Sequence, residues 1–198
     1  MNAFAIFAFL GLAVSAGPDP VDGHLIAGAS AFREGRYDQA LVEFRVAQKL
    51  GAADAAAYAA AALVKLGRPE EALDAFGLEA SPGDPLLDYY RAMACYDAKL
   101  YHCADGLLAG VASQGGPGMS EQAARTRAAI AAILRPEPST ESIDWYLARC
   151  TGEVSVRPRL ASAYCKEAVD LAARRADAYG KARATEGLSQ AQGKGAGR

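Results

Sequence analysis

Four cysteines (Cys95, Cys103, Cys150 and Cys165) and two histidines (His24 and His102) are the side chains here best suited to hold a metal, attack a substrate or carry a proton. Their spacing limits that chemistry. His102 directly precedes Cys103 and follows Cys95 by seven residues, a soft ligand set in type. The spacing matches no recognised zinc motif and supplies no fourth ligand, so a surface histidine beside a disulfide is the expectation. The chain has no Cys-x-x-Cys, Gly-x-Gly-x-x-Gly, phosphate-loop, Gly-x-Ser-x-Gly or His-Glu-x-x-His pattern. Carboxylates such as Glu70, Glu71 and Asp74 fall at helix-surface spacings and read as solvated faces, not as an acid–base pair. No catalytic residue, metal or cofactor is expected, and the protein is expected not to be an enzyme.

An even cysteine count suits disulfides in an exported chain, and four buried reduced thiols are the alternative. Four cysteines allow three connectivities. The N-terminus speaks for export: Ala3 to Ala16 is an unbroken run of apolar and small residues, followed by Gly17-Pro18-Asp19-Pro20. About 14 helical residues reach roughly 21 Å, short of the roughly 30 Å hydrocarbon core. That length, with Val14-Ser15-Ala16 placing small residues at a cleavage point, predicts a signal peptide over 1–16 and a periplasmic or otherwise envelope-associated protein. Nothing later in the chain is long and apolar enough to span a membrane.

The elements that position these residues are expected to be helices. The chain of 198 residues is rich in Ala, with 52% apolar and only 8% aromatic residues, and Ala is the best helix former because it loses no side-chain entropy. Charge is unevenly spread. From Arg157 onward there are nine Lys or Arg against four acidic residues, and before it twelve against nineteen. The basic end is expected to be a solvated face balancing the acidic part; contact with lipid headgroups or anionic envelope polymer is the sharper alternative. Nucleic acid is not expected as a partner.

A repeat fixes the organisation. Glu34-Gly35-Arg36-Tyr37-Asp38-Gln39-Ala40-Leu41-Val42-Glu43-Phe44 recurs in outline as Leu66-Gly67-Arg68-Pro69-Glu70-Glu71-Ala72-Leu73-Asp74-Ala75-Phe76, and more faintly from Lys99 to Leu108. The step is 32 residues: Ala40, Ala72, Ala104; Phe44, Phe76, Leu108; and, earlier in each unit, Gly28, Ala60, Ala92. The pattern resembles the tetratricopeptide repeat, over about Val21 to Gly118. Gly35, Tyr37, Ala40, Phe44 and Ala47 carry the resemblance in the first unit; the second has Pro69 for the turn tyrosine, and the third Lys99 for the turn glycine. The resemblance implies an all-α, right-handed stack of antiparallel helical hairpins, about three of them over 17–118.

It further implies a groove lined by the first helix of each unit: Leu25, Ala29 and Phe32, then Ala57, Ala61 and Val64, then Tyr89, Met93 and Tyr96. Such a groove suits a peptide or an amphipathic helix of another protein, or is filled by the chain's own later helices. Leu25 and Ala29 stand where chaperone-binding members carry a carboxylate clamp, so that activity is not expected. The expected function is a non-catalytic scaffold or assembly factor of the bacterial envelope. The alternatives are a tethered subunit that keeps its N-terminal segment, or a helical regulatory component of an envelope enzyme system.

Over 119–187 the repeat fades. Ser120 is the expected N-cap of a helix to about Leu134, and Ser139 or Thr140 of another to about Cys150. Thr151 to Val156 is expected to be a loop, followed by a helix from Pro158 to about Thr185 and a flexible tail over 188–198. These are expected to form a divergent hairpin and a capping helix, with Trp145 and Tyr146 packed inside. Cys95 and Cys103 then flank the third hairpin's bend, and Cys150 and Cys165 the last interhelical loop. Pairing of neighbours is the preferred connectivity.

Overall fold

The structure is a computed structural model that describes residues 19–52, 54–77 and 84–195. The expected signal peptide over 1–16 lies outside these residues. Ten α-helices and no strands are present among them: α1 (Pro20–Arg33), α2 (Tyr37–Lys49), α3 (Ala55–Lys65), α4 (Pro69–Phe76), α5 (Pro85–Asp97), α6 (Tyr101–Gln114), α7 (Pro117–Leu134), α8 (Thr140–Glu153), α9 (Pro158–Arg174) and α10 (Ala178–Gly195). Helices start where proline is harmless: Pro20, Pro69, Pro85, Pro117 and Pro158 each open one, where the missing N–H has no intrahelical partner to lose. The Asp84 carboxylate accepts from the Leu86 and Leu87 amides at 3.1 and 3.0 Å, capping α5.

Neighbouring helices pack in sequence order. α1 pairs with α2, α3 with α4 and α5 with α6, while α2 leans on α3 and α4 on α5. The 32-residue step returns as geometry. Gly35, Gly67 and Lys99 have φ of 76°, 70° and 63°, the left-handed conformation that ends a helix. Each is followed by the same closing bond: Arg36 to the Ala31 carbonyl at 2.8 Å, Arg68 to Leu63 at 2.9 Å, and Leu100 to Cys95 at 2.8 Å. Ala40, Ala72 and Ala104, and likewise Ala60 and Ala92, are wholly buried. At the first crossing contact is so close that a Cβ on Gly28 would lie 2.6 Å from the Phe44 ring.

The C-terminal third departs from the expected layout. α7 lies on α6, while α8, α9 and α10 pack on one another, and α9 also touches α4 and α6. α7 begins at Pro117 rather than after Ser120, whose hydroxyl donates to the Gly115 carbonyl at 2.8 Å. α8 continues to Glu153, so the expected loop shortens, because Val154 is drawn into a small apolar cluster with Ala161 and Ala191. Ser139 caps α8, accepting from the Ser142 amide at 3.1 Å.

The long helix expected from Pro158 is two helices. Ala176, at φ 56°, ends α9, and the Asp177 carboxylate accepts from the Gly180 amide at 2.9 Å to start α10. The tail expected to be flexible is therefore helical through Gly195. Its buried positions are Gly180, Ala184, Gly187 and Ala191, a stripe at helical spacing with no large side chain. It lets α10 sit so close that a Cβ on Gly187 would meet the Cys150 sulfur at 2.5 Å.

Candidate functional site

Two of the concave sites among the described residues differ sharply in character. The first lies among α1, α2, α3 and α5. It is an apolar cavity of about 190 Å³ lined by Ala29, Phe32, Arg33, Phe44, Tyr58, Ala61, Leu86, Leu87 and Tyr90. Four of these nine side chains are aromatic. The Phe32 ring stands edge-on to Tyr37 at 5.3 Å and to Tyr90 at 5.8 Å, and Phe44 lies 5.5 Å from Tyr58. Tyr58 and Leu86 are exposed although both are large and apolar. Burial pushes the Tyr90 phenol above its ordinary pKa, so it stays neutral at physiological pH.

Of the nine groove residues expected from the sequence, Ala29, Phe32 and Ala61 line this cavity. Leu25, Ala57, Tyr89, Met93 and Tyr96 are half-buried elsewhere, and Val64 is in the core. Tyr89 stacks beside Tyr90 at 5.8 Å, and Tyr96 packs on Tyr101 at 5.8 Å near the far end of α5. The residues missed are Tyr58, Leu86, Leu87 and Tyr90. The repeat held a signal for two of them: Tyr58 and Tyr90 stand one 32-residue step apart, in phase with Ile26. The face that lines the cavity is the one a single residue onward at Tyr58 and Tyr90, a rotation of about 100° from Ala57 and Tyr89. None of the chain's described later helices fills the cavity, whose described lining residues belong to α1, α2, α3 and α5.

The second site is polar. A cleft of about 390 Å³ between α6 and α9 is lined by His102, Cys103, Gly106, Leu107, Ala163, Lys166, Glu167 and Asp170. Glu167 is only 2% exposed, and a buried carboxylate needs partners to offset its desolvation. It has three: the His102 and Cys103 amides donate to it at 2.7 and 3.3 Å, and His102 Nδ1 lies 2.6 Å away. α6 has no side-chain cap of its own, so a carboxylate from α9 serves as one. The Glu167 hydrogen bond raises the His102 pKa. His102, expected at the surface beside a disulfide, is thus tied into the structure. A His–carboxylate pair could move a proton, but the adjacent Cys103 sulfur is no free thiol, being bonded to Cys95. That bond also removes both thiolates from the Cys95–His102–Cys103 ligand set. Among the described residues no group of three or more His, Cys, Asp or Glu is placed to hold a metal ion.

Both disulfides join neighbours, Cys95 to Cys103 and Cys150 to Cys165, with Cα separations of 6.1 and 4.9 Å. Two such pairs fit an oxidising location. No helix among the described residues is long and apolar enough to cross a membrane.

The turn at Lys99 is held by the C-terminal helices. The Tyr146 hydroxyl donates to the Lys99 carbonyl at 2.5 Å, that of Tyr164 to Ala98 at 3.4 Å, and the Lys99 ammonium sits 5.1 Å over the Trp145 ring. Trp145, Tyr146 and Tyr164 pack together, as expected of the first two. Glu70 is no solvated carboxylate: Arg149 at 3.0 Å, Arg157 at 2.8 Å and the Tyr164 hydroxyl at 3.1 Å converge on it. The basic C-terminal part largely touches the chain itself, since Arg174 reaches the Leu134 and Pro136 carbonyls and Arg175 that of Pro138.

No protein-family model matches the chain, and neither curated proteins nor solved structures give a match.

Proposed function

We propose that this chain is a non-catalytic scaffold of the cell envelope, a right-handed tetratricopeptide-like stack that holds a segment of another protein in the cavity among α1, α3 and α5. The observation that carries the reading is that cavity: a hollow lined by Phe32, Phe44, Tyr58 and Tyr90 that no other described helix fills, with Tyr58 and Leu86 exposed. Buried aromatics in a pocket are the usual anchors of a protein interface. A volume of about 190 Å³ falls below the roughly 300–1,000 Å³ of small-molecule pockets, so it suits side chains of a macromolecular partner. The disulfides and the apolar run from Ala3 to Ala16 support export.

The test is capture of the envelope partner by wild type and by Phe32→Glu with Tyr90→Glu, after circular dichroism shows equal helix content. Loss of the partner in the variant is expected; equal capture would rule out the cavity as the binding face. N-terminal sequencing of the exported protein tests the location, with a start at Gly17 expected and a start at Met1 against cleavage.

A further inference from the structure

The cavity has an electrical character of its own. Among the described residues its lining holds no carboxylate and one cation, Arg33. A second cation stands near: the Lys65 ammonium lies 5.7 Å over the ring of Tyr90, itself a lining residue. Arg33 and Lys65 are one 32-residue step apart and close the last turns of α1 and α3. Both are exposed, and neither forms an ion pair among the described residues. The nearest carboxylate in sequence, Glu34, is engaged by Arg36 and Ser30. This arrangement sits in the acidic part of the chain, where most arginines face a carboxylate: Arg36 with Glu34, Arg68 with Glu71, Arg91 with Asp88 and Arg127 with Asp105.

We propose that the cavity selects an acidic segment of another protein, one that places a large apolar side chain among Phe32, Tyr58 and Tyr90 and carboxylates on Arg33 and Lys65. This rests on the groove reading above and adds the partner's chemistry to it. The apolar anchor supplies affinity by burial. The two cations supply selection, because a basic segment would meet like charge beside a low-dielectric wall. Lys65 is held for the role by the face of Tyr90, which attracts a cation without neutralising it.

The test uses the full oxidised chain and two fluorescein-labelled peptides, each with a Leu-Phe anchor, flanked in one by aspartates and in the other by lysines. Wild type is expected to bind the aspartate peptide about fivefold more tightly at low ionic strength, the scale of two exposed ion pairs, with the gap closing as salt is added. Arg33→Glu with Lys65→Glu is expected to reverse the order. Equal binding of both peptides, or an unchanged order after the charge reversal, would overturn the acidic specificity. Phe32→Glu with Tyr90→Glu separates the two readings. If it abolishes binding of both peptides while the order is flat, the groove stands and the specificity falls. If neither peptide binds wild type, both readings fall. A dimer in sedimentation that Phe32→Glu dissolves would make the occupant a second copy and overturn the proposal.

Discussion

The first two hairpins and the last three helices are held together by different means. α1 to α4 meet through small side chains: Gly28 against Phe44, with Ala40, Ala60 and Ala72 fully buried and no disulfide. α8 and α9 are stapled by Cys150–Cys165 and wired to earlier helices through Glu70, Tyr146, Tyr164 and Glu167, while α10 packs on both through its glycine and alanine stripe. The first region repeats one local solution. The second is tied to the first by long-range polar bonds to Glu70, and no described residue of it lines the aromatic cavity. A repeat unit touches only its neighbours, so a stack needs a distinct ending at which its last apolar face is covered.

The contrast can be broken from either side. The largest effect is expected from Cys150→Ser with Cys165→Ser. A disulfide spanning 15 residues contributes about 3 kcal/mol, and the urea midpoint of the oxidised chain should fall accordingly. Gly28→Val should cost about 1–3 kcal/mol by driving α1 off Phe44, seen as a lower melting temperature; no change would mean the crossing is looser than described. Glu167→Leu leaves the His102 and Cys103 amides without their acceptor and should cost about 1–3 kcal/mol, with hydrogen exchange rising first at the start of α6. The pH dependence sharpens the same site. His102 has a folded pKa raised by Glu167, so its contribution is fully present below the unfolded value of about 6.5. It is lost as pH rises through the raised folded value. Stability measured across that window should decline in wild type and stay flatter in His102→Gln. The smallest effect is Lys99→Gly. Relief of a left-handed non-glycine residue, about 1–2 kcal/mol, is offset by glycine's greater freedom when unfolded and by loss of the contact over Trp145, so the melting temperature should barely move.

Much of the first region is legible in the residues because its determinants are local. A glycine at the end of an apolar run fixes a turn, and a fixed step of buried alanines fixes the hairpins; even Lys99 is found by register. The cavity was half legible. Spacing gives which residues share a face but not how far each helix is rotated, and so Tyr89 was expected where Tyr90 stands. Glu167 left a signal: it falls in the stripe Leu160, Tyr164, Glu167, Leu171, where a lone carboxylate among buried positions asks for a partner. The partner, the start of α6, lies 65 residues away and no local rule names it. α10 escaped because its buried stripe is glycine and alanine, invisible to a search for large apolar residues.

The pairing of the cysteines has a consequence for biosynthesis. Each bond closes within one stretch of chain, over 8 and 15 residues, and the two stretches do not interleave. If cysteines are oxidised in the order they emerge, first with second and third with fourth, the native connectivity results with nothing to correct. Maturation then calls for an oxidant of thiols but not for an isomerase to reshuffle them.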